Sequence, residues 1–167
     1  MKNKLILSIG LLLSSSAVFS NNYITGSEAD TWTYSGGSSS TITVESGNWR
    51  KFSTFANMGE MWIYSTTDYG YVYFYTPEAG TQVLANFNAS VGSEFTIPES
   101  MCDAGSLKIT DKNTSIETNA GTFSDTVTLS CGSHETVFAN NVGIVKQFGT
   151  QVETLDSASV NGGSFPV

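Results

Sequence analysis

The stretch that decides the fold is 119-NAGTFSDTVTLSCGSHETVFANNVGIVKQF-148. Within it, Val127, Leu129 and Cys131 alternate with polar residues, which is the period of two expected for a half-buried β-strand. The turn-forming segments Gly132-Ser133 and Asn140 to Gly143 follow this run and the next one along the chain. The stretch therefore predicts several short antiparallel strands joined by tight turns.

The rest of the chain repeats this pattern and contains almost no helical periodicity. Strand-like runs recur every eight to twelve residues, which predicts an all-β antiparallel meander that forms a curved sheet or half-open barrel. A β-sandwich is the alternative. Tyr71–Thr76 has large apolar residues on both faces, so it is expected to be a central strand covered on both sides. Residues 106–110 and 115–118 are expected to pair as a hairpin, and residues 151–160 to form a closing strand that contains Val152 and Leu155.

The first twenty residues have the composition of a cleaved signal peptide. Lys2 and Lys4 precede a short apolar run, and Val18 and Ser20 suit the small-residue positions of a cleavage site. Cleavage after Ser20 would leave residues 21–167 as a single all-β domain, either periplasmic or secreted. A retained N-terminal anchor is the alternative, although the apolar run is short for a membrane span. Residues 21–31 are expected to be a loose leader, and the tail 161–167 to be frayed.

The charge balance argues against two classes of partner. The chain has 15 Asp and Glu against 7 Lys and Arg, for a formal net charge of −8. Because phosphate recognition needs clustered Lys and Arg, this composition argues against nucleic acid and anionic lipid. No later apolar run is long enough for an integral membrane span.

Two cysteines, Cys102 and Cys131, are the only ones in the chain. An even count in an exported protein predicts one disulfide between them. Two Cys with a single His do not complete a structural zinc site, and the spacing is not that of a CxxC redox pair. The turn that begins at Asp111 lacks the Gly and the distant Glu of a calcium loop. We therefore predict neither a metal nor a cofactor.

Three short motifs in the second half resemble a pattern found in a group of uncharacterised bacterial exported all-β proteins. They are VGSEF at 91–95, AGTFSD at 120–125, and FA followed by VGIVK at 138–139 and 142–146. Phe95 stands where that group usually has Trp, and Asn141 where Gly is common. The resemblance extends over about residues 73–155. It implies export and a curved antiparallel sheet like those of periplasmic lipoprotein carriers, and it brings no catalytic residues with it.

An unusual density of aromatic residues between Trp32 and Tyr75 provides the candidate site. Strand alternation places three tyrosines on one face of the Tyr71–Thr76 strand, opposite Val72 and Phe74. Such a row could bind a ligand or a partner, or could simply cover a sheet face. The predicted ligand-binding residues are Tyr71, Tyr73, Tyr75, Trp62 and Tyr64.

The leading functional prediction is an exported non-enzymatic binding or interaction protein that uses this aromatic-rich face. Its partner would be a small apolar or sugar ligand, or another exported protein. The alternative is a secreted hydrolase that uses carboxylates near the aromatic face, for which Glu60, Asp68 and Glu78 are the candidates. A serine hydrolase built on Ser133 and His134 is disfavoured because no G-x-S-x-G motif occurs.

Overall fold

The computed structural model describes residues 22–66, 69–148 and 151–166, and within these ranges the regular structure is entirely β. This confirms the all-β prediction. The predicted signal peptide, residues 1–20, lies outside the described residues. The strands are β1 Thr31–Tyr34, β2 Ser39–Ser46, β3 Trp49–Phe52, β4 Met61–Ser65, β5 Tyr71–Thr76, β6 Gly80–Asn86, β7 Glu94–Thr96, β8 Ser106–Lys112, β9 Ile116–Thr118, β10 Gly121–Phe123, β11 Thr126–Cys131, β12 His134–Ala139, β13 Gly143–Phe148, β14 Val152–Val160 and β15 Gly163–Phe165.

Twelve strands form one antiparallel sheet that curves into a nearly closed barrel. Their order is β6-β5-β4-β3-β2-β1-β14-β13-β12-β11-β8-β7, with β15 added beside β14 and β9–β10 as a separate hairpin. The ladder of hydrogen bonds does not continue between β6 and β7, so one seam stays unsealed. The curved, half-open barrel predicted from strand spacing is therefore confirmed.

The up-and-down path gives the barrel two distinct ends. The turns at 35–38, 53–60, 97–105 and 132–133 all lie at one end, which we call the cleft end. The turns at 47–48, 140–142 and 161–162 lie at the other, which we call the anchor end. Loops far apart in sequence therefore meet at each end of the barrel.

The N-terminal segment 22–30 is not the loose leader expected from its polar sequence. Tyr23 and Ile24 are each only 4% exposed and belong to the core at the anchor end. The Tyr23 hydroxyl donates a hydrogen bond of 2.6 Å to Asp125 Oδ1, and the Asn141 amide donates one of 2.9 Å to the Asn22 carbonyl. Two apolar side chains and these long-range hydrogen bonds hold the segment in place.

Two further expectations were wrong because sheet pairing overrode local sequence. The tail is not frayed over 163–165, since β15 pairs with β14 and the Phe165 ring lies 6.0 Å from that of Phe123. Residues 106–118 do not form one hairpin: β8 pairs with β7 and β11, whereas β9 pairs with β10.

The core fills the inside of the barrel and leaves the outside of several strands uncovered. Val72 and Phe74 of β5 point inward and are at most 1% exposed. Tyr71 and Tyr75 point outward and are 39% and 41% exposed, so the expectation that both faces of β5 are covered was wrong. A barrel has a single interior, and no second layer of described residues packs over this part of the sheet.

Cys102 and Cys131 form the predicted disulfide, with their Cα atoms 5.7 Å apart. The bond joins the loop 97–105, which leads into β8, to the end of the neighbouring strand β11, so it lies on one side of the cleft end of the barrel. A disulfide is compatible with an oxidising compartment outside the cytoplasm.

Candidate functional site

The outer surface of β3, β4 and β5 carries a continuous group of six aromatic side chains. Backbone register explains their placement, because directly paired residues project from the same side of a sheet. Trp49 pairs with Tyr64, Tyr64 pairs with Tyr73, and Trp62 pairs with Tyr75. We call the whole group the aromatic face: Trp49, Trp62, Tyr64, Tyr71, Tyr73 and Tyr75.

Four members of this group form a chain of ring contacts that we call the aromatic row. The ring centroids of Trp49 and Tyr64 are 5.4 Å apart, those of Tyr64 and Tyr73 5.7 Å, and those of Tyr73 and Tyr71 6.0 Å. The two tyrosine pairs are stacked, with interplanar angles of 19° and 29°. These distances lie in the range of favourable aromatic pairs, so the rings support one another across three strands.

The aromatic face is bordered by a shallow groove and by uncharged polar side chains. The groove has a volume of about 330 Å³ and lies between Trp49, Trp62 and Tyr75. Ser46 and Thr81 complete its lining. The face therefore combines exposed rings with hydroxyl groups that can donate and accept hydrogen bonds.

The structure brings all five sequence-predicted site residues together on this face: register joins Trp62 to Tyr75 and Tyr64 to Tyr73, and Tyr71 stacks on Tyr73 of the same strand. Trp49 was not among them, although the tryptophan belonged to the dense aromatic region. Its membership depends on the register of β3 against β4, which places it beside Tyr64. Sequence alternation within a single strand carries no information on that register.

The carboxylates of the hydrolase alternative are not gathered into a site by the described contacts. Glu60 forms an ion pair with Lys51, with 2.8 Å between Glu60 Oε1 and Lys51 Nζ, and the side chain of Glu60 is 61% exposed. Glu78 is exposed in the turn between β5 and β6. Asp68 lies outside the described residues.

A second concavity opens at the cleft end of the barrel and has a volume of about 430 Å³. We call it the barrel-end cleft. Its floor is apolar and includes Phe55, Leu84, Leu129 and Phe138, which are at most 3% exposed. Its complete lining is Phe55, Ala56, Asn57, Met58, Leu84, Ser100, Met101, Leu107, Leu129, Cys131, His134, Thr136, Phe138 and Phe148.

A buried hydrogen-bond network lies beside this cleft and is centred on the carboxylate of Glu153, which is 7% exposed. It accepts hydrogen bonds from Ser38 Oγ at 2.5 Å, Gln147 Nε2 at 3.1 Å and Asn57 Nδ2 at 3.4 Å. The bond from Ser38 lowers the pKa of Glu153 most, those from Gln147 and Asn57 lower it further, and burial acts in the opposite direction. Neutral donors thus keep an acidic side chain charged inside the barrel wall. Only Asn57 also lines the cleft.

His134 is placed at the rim of the cleft as a packing group. Its ring stacks on that of Phe148, with centroids 3.8 Å apart and an interplanar angle of 10°. The adjacent Glu135 is paired with Lys146 at 3.0 Å rather than with the imidazole. The described contacts therefore do not assemble a Ser-His-acid arrangement around Ser133.

Comparison with known proteins leaves the chain without an identified relative: no family model matches it, and neither does any curated protein or solved structure. Among the residues that the structure describes, no helix has the length and apolarity needed to cross a membrane.

Cys102 and Cys131 lie near Asp103, but both sulfur atoms are used in the disulfide and are not thiolate ligands.

Proposed function

We propose that the protein is an exported, non-enzymatic carbohydrate-binding protein that holds a neutral saccharide chain against the aromatic face. The observation that carries this proposal is the aromatic row, in which each of four rings contacts the next on the outside of the barrel. The C–H faces of a sugar ring pack on aromatic rings, and its hydroxyl groups need hydrogen-bond partners nearby. Tyrosine hydroxyls and Thr81 supply such partners beside the rings.

The shape of the surface supports a saccharide over a compact apolar ligand. Tyr71 and Tyr75 stand on an open sheet face rather than in an enclosed cavity, at 39% and 41% exposure. An open face leaves a compact apolar molecule largely in contact with water, whereas pockets for such molecules bury most of the ligand surface. An extended chain can instead lie along several rings in succession.

The charge of the protein supports an uncharged saccharide. The net charge of −8 repels polyanions, and Lys51, the cation paired in register with Trp62, is already bound to Glu60. A sulfated or uronic-acid polymer would therefore meet an acidic surface without a free counter-charge at this position.

Export is part of the proposal and rests on sequence together with chemistry. The basic and apolar start of the chain has the pattern of a signal peptide. The disulfide between Cys102 and Cys131 is compatible with an oxidising compartment. The resemblance of residues 73–155 to exported all-β proteins is in agreement with both.

The experiment is calorimetric titration of the exported protein with two neutral oligosaccharides, cellohexaose and chitohexaose, and with soluble neutral polysaccharides. We expect binding with a dissociation constant between about 1 µM and 1 mM. Tyr73→Ser removes the central ring of the row and is expected to weaken binding at least about tenfold, or 1.4 kcal/mol. Tyr69→Ser is the matched control, because Tyr69 is 71% exposed and takes no part in the stacked contacts of the row.

Two results would contradict the proposal. One is the absence of binding to every neutral saccharide tested, and the other is an equal loss of affinity in Tyr73→Ser and Tyr69→Ser. Native mass spectrometry of the protein from its host's exported fraction adds a direct test. Bound saccharide mass would support the proposal, whereas a stoichiometric protein partner that is lost in Tyr73→Ser would assign the face to protein recognition instead.

A further inference from the structure

We propose that the barrel-end cleft is a second binding site, for a small uncharged molecule with an apolar ring, and that the Cys102–Cys131 disulfide holds one wall of this site in place. The inference does not rest on the proposed saccharide site. The aromatic face lies outside the barrel wall, whereas the cleft is entered from the end of the barrel and has the interior core as its floor.

The size and floor of the cleft fit a small molecule. Its volume of about 430 Å³ falls within the range of ligand pockets in proteins, roughly 300–1,000 Å³. Phe55 and Phe138 lie at the bottom with ring centroids 6.0 Å apart, and both are at most 1% exposed. These rings close the bottom of the cleft, and the half-buried side chains of Met58, Met101 and Phe148 provide the apolar surface on which a planar group can rest.

The charge of the lining selects an uncharged ligand. Among the described lining residues there is no Lys, Arg, Asp or Glu, and the only ionisable side chain is that of His134 at the rim. A charged ligand would lose its hydration in the cleft without gaining an opposite charge. A neutral ring system loses much less hydration free energy when it enters the cleft.

Asn57 and Thr136 provide the polar contacts that would orient such a ligand. Asn57 is held by the network beside the cleft: its Oδ1 accepts a hydrogen bond of 3.2 Å from Gln147 Nε2, and its Nδ2 donates one of 3.4 Å to Glu153. Each end of an amide side chain has capacity for a further hydrogen bond. Asn57 is therefore both fixed in position and able to bind a polar group of the ligand.

The backbone next to Asn57 adds a second sign of a constrained site. Ala56 and Asn57 have φ values of 50° and 60°, and two successive non-glycine residues in the left-handed region are uncommon. Such conformations persist only where the surroundings determine them. Asn57 is fixed from the side by Gln147 and Glu153, so this lip of the cleft is preorganised.

The opposite lip depends on the disulfide. Ser100 and Met101 line the cleft from the loop 97–105, and Cys131 lines it from the end of β11. The disulfide between Cys102 and Cys131 joins these two elements directly. Reduction would release the loop from β11, and the wall formed by Ser100 and Met101 would lose its fixed position.

The test uses the uncharged fluorophore N-phenyl-1-naphthylamine, excited at its own absorption band, with the full chain expressed for export. We expect saturable binding at one site. Thr136→Trp fills the cleft from the middle of β12 and should weaken binding at least tenfold. Thr33→Trp places the same side chain on an exposed strand position of β1, outside the cleft, and should leave binding unchanged.

Two further arms separate this site from the aromatic face and test the role of the disulfide. Tyr73→Ser and an excess of cellohexaose should leave fluorophore binding unchanged. Reduction of the disulfide, at a temperature at which circular dichroism shows the protein still folded, should weaken binding at least threefold.

If Thr136→Trp does not fold, Met101→Trp replaces it as the blocking variant. Absence of fluorophore binding, or equal binding by wild type and the folded blocking variant, would overturn the assignment of the site. Unchanged affinity after complete reduction would overturn the role of the disulfide.

Discussion

Reduction of the Cys102–Cys131 disulfide gives the prediction whose magnitude follows most directly from the structure. The two cysteines are separated by 29 residues in the chain. In the chain-entropy model, a loop of this length lowers the free energy of the folded state relative to the unfolded state by about 3.6 kcal/mol at 25 °C. For a domain of this size, that corresponds to a decrease in the unfolding midpoint of roughly 7–14 °C.

The assay compares oxidised and reduced protein in urea and in thermal unfolding. Reduction with a phosphine leaves both sulfur atoms in place, so the change in stability reports mainly the loss of the cross-link. A Cys102→Ala, Cys131→Ala variant also removes the sulfur of Cys102, which is only 3% exposed. It should therefore be less stable than the reduced protein, because it adds a small cavity to the lost loop constraint.

Mass spectrometry must first confirm that the reduced sample has gained two hydrogens. If its unfolding midpoint then equals that of the oxidised protein within 2 °C, the disulfide does not stabilise the fold by restraining the unfolded chain. An increase in the slope of free energy against urea concentration after reduction would indicate that the bond keeps the unfolded state more compact, because the slope grows with the surface exposed on unfolding.

Two other predictions concern the buried network and the seam. Because the folded-state pKa of Glu153 lies below its ordinary value of 4.5, its contribution to stability is complete at neutral pH and is lost as the pH falls below 4.5 through the folded pKa. Urea midpoints measured at pH 7 and pH 3 should therefore differ less in Glu153→Gln than in wild type, and an equal difference would contradict the role of the carboxylate. Lys112 Nζ donates hydrogen bonds of 2.8 and 3.2 Å to the carbonyls of Phe87 and Ala89, so Lys112→Met should cost about 1–3 kcal/mol. The control Lys108→Met removes only an exposed ion pair with Glu94 and should cost at most about 1 kcal/mol. An equal loss in the free energy of unfolding in the two variants would show that the hydrogen bonds from Lys112 contribute no more than an exposed ion pair.

Local sequence was sufficient to predict most of the strands and the faces of the aromatic residues in β5, but not β15, which lies in a tail expected to be frayed. In β5, alternation alone separates Val72 and Phe74 from the three tyrosines, and the structure has the same separation. The disulfide was predictable because only one pairing of two cysteines exists. Alternation depends only on residues close together in the chain, and the disulfide pairing depends only on the number of cysteines. Neither depends on the order of the strands in the sheet.

The pairing of distant strands could not be predicted from local pattern. β1 lies between β2 and β14, so the first strand of the described chain is hydrogen-bonded to one near its end. The barrel-end cleft depends on the same closure, because its lining comes from the loops at 53–60 and 97–105 and from β6, β8, β11, β12 and β13. No motif in the sequence marks a cavity assembled from so many elements.

Local hydrophobicity also fails to predict which residues of β14 are buried. Hydrophobicity favours Val152 as the buried residue, yet Val152 is 53% exposed and Glu153 is buried beside Leu155. Strand periodicity requires Glu153 and Leu155 to share a face, and burial of the carboxylate is possible because Ser38, Gln147 and Asn57 donate to it. Gln147 is the direct partner of Glu153 across the β13–β14 hairpin, but Ser38 and Asn57 come from distant parts of the chain, so the sequence near Glu153 could not indicate them.

The exposed tyrosines of the aromatic face take no part in the buried core of the barrel. The barrel interior behind them is already occupied by Ile63, Val72 and Phe74, which are at most 1% exposed. A strand needs only one buried face to be held in a barrel, so Thr or Lys at Tyr71 and Tyr75 would leave the core unchanged. The part of the sheet formed by β3, β4 and β5 thus carries core side chains on its inner face and the aromatic rings on its outer face. Substitutions at Tyr71 or Tyr75 should therefore change binding at the aromatic face without changing the cleft, which is the basis for testing the two sites independently.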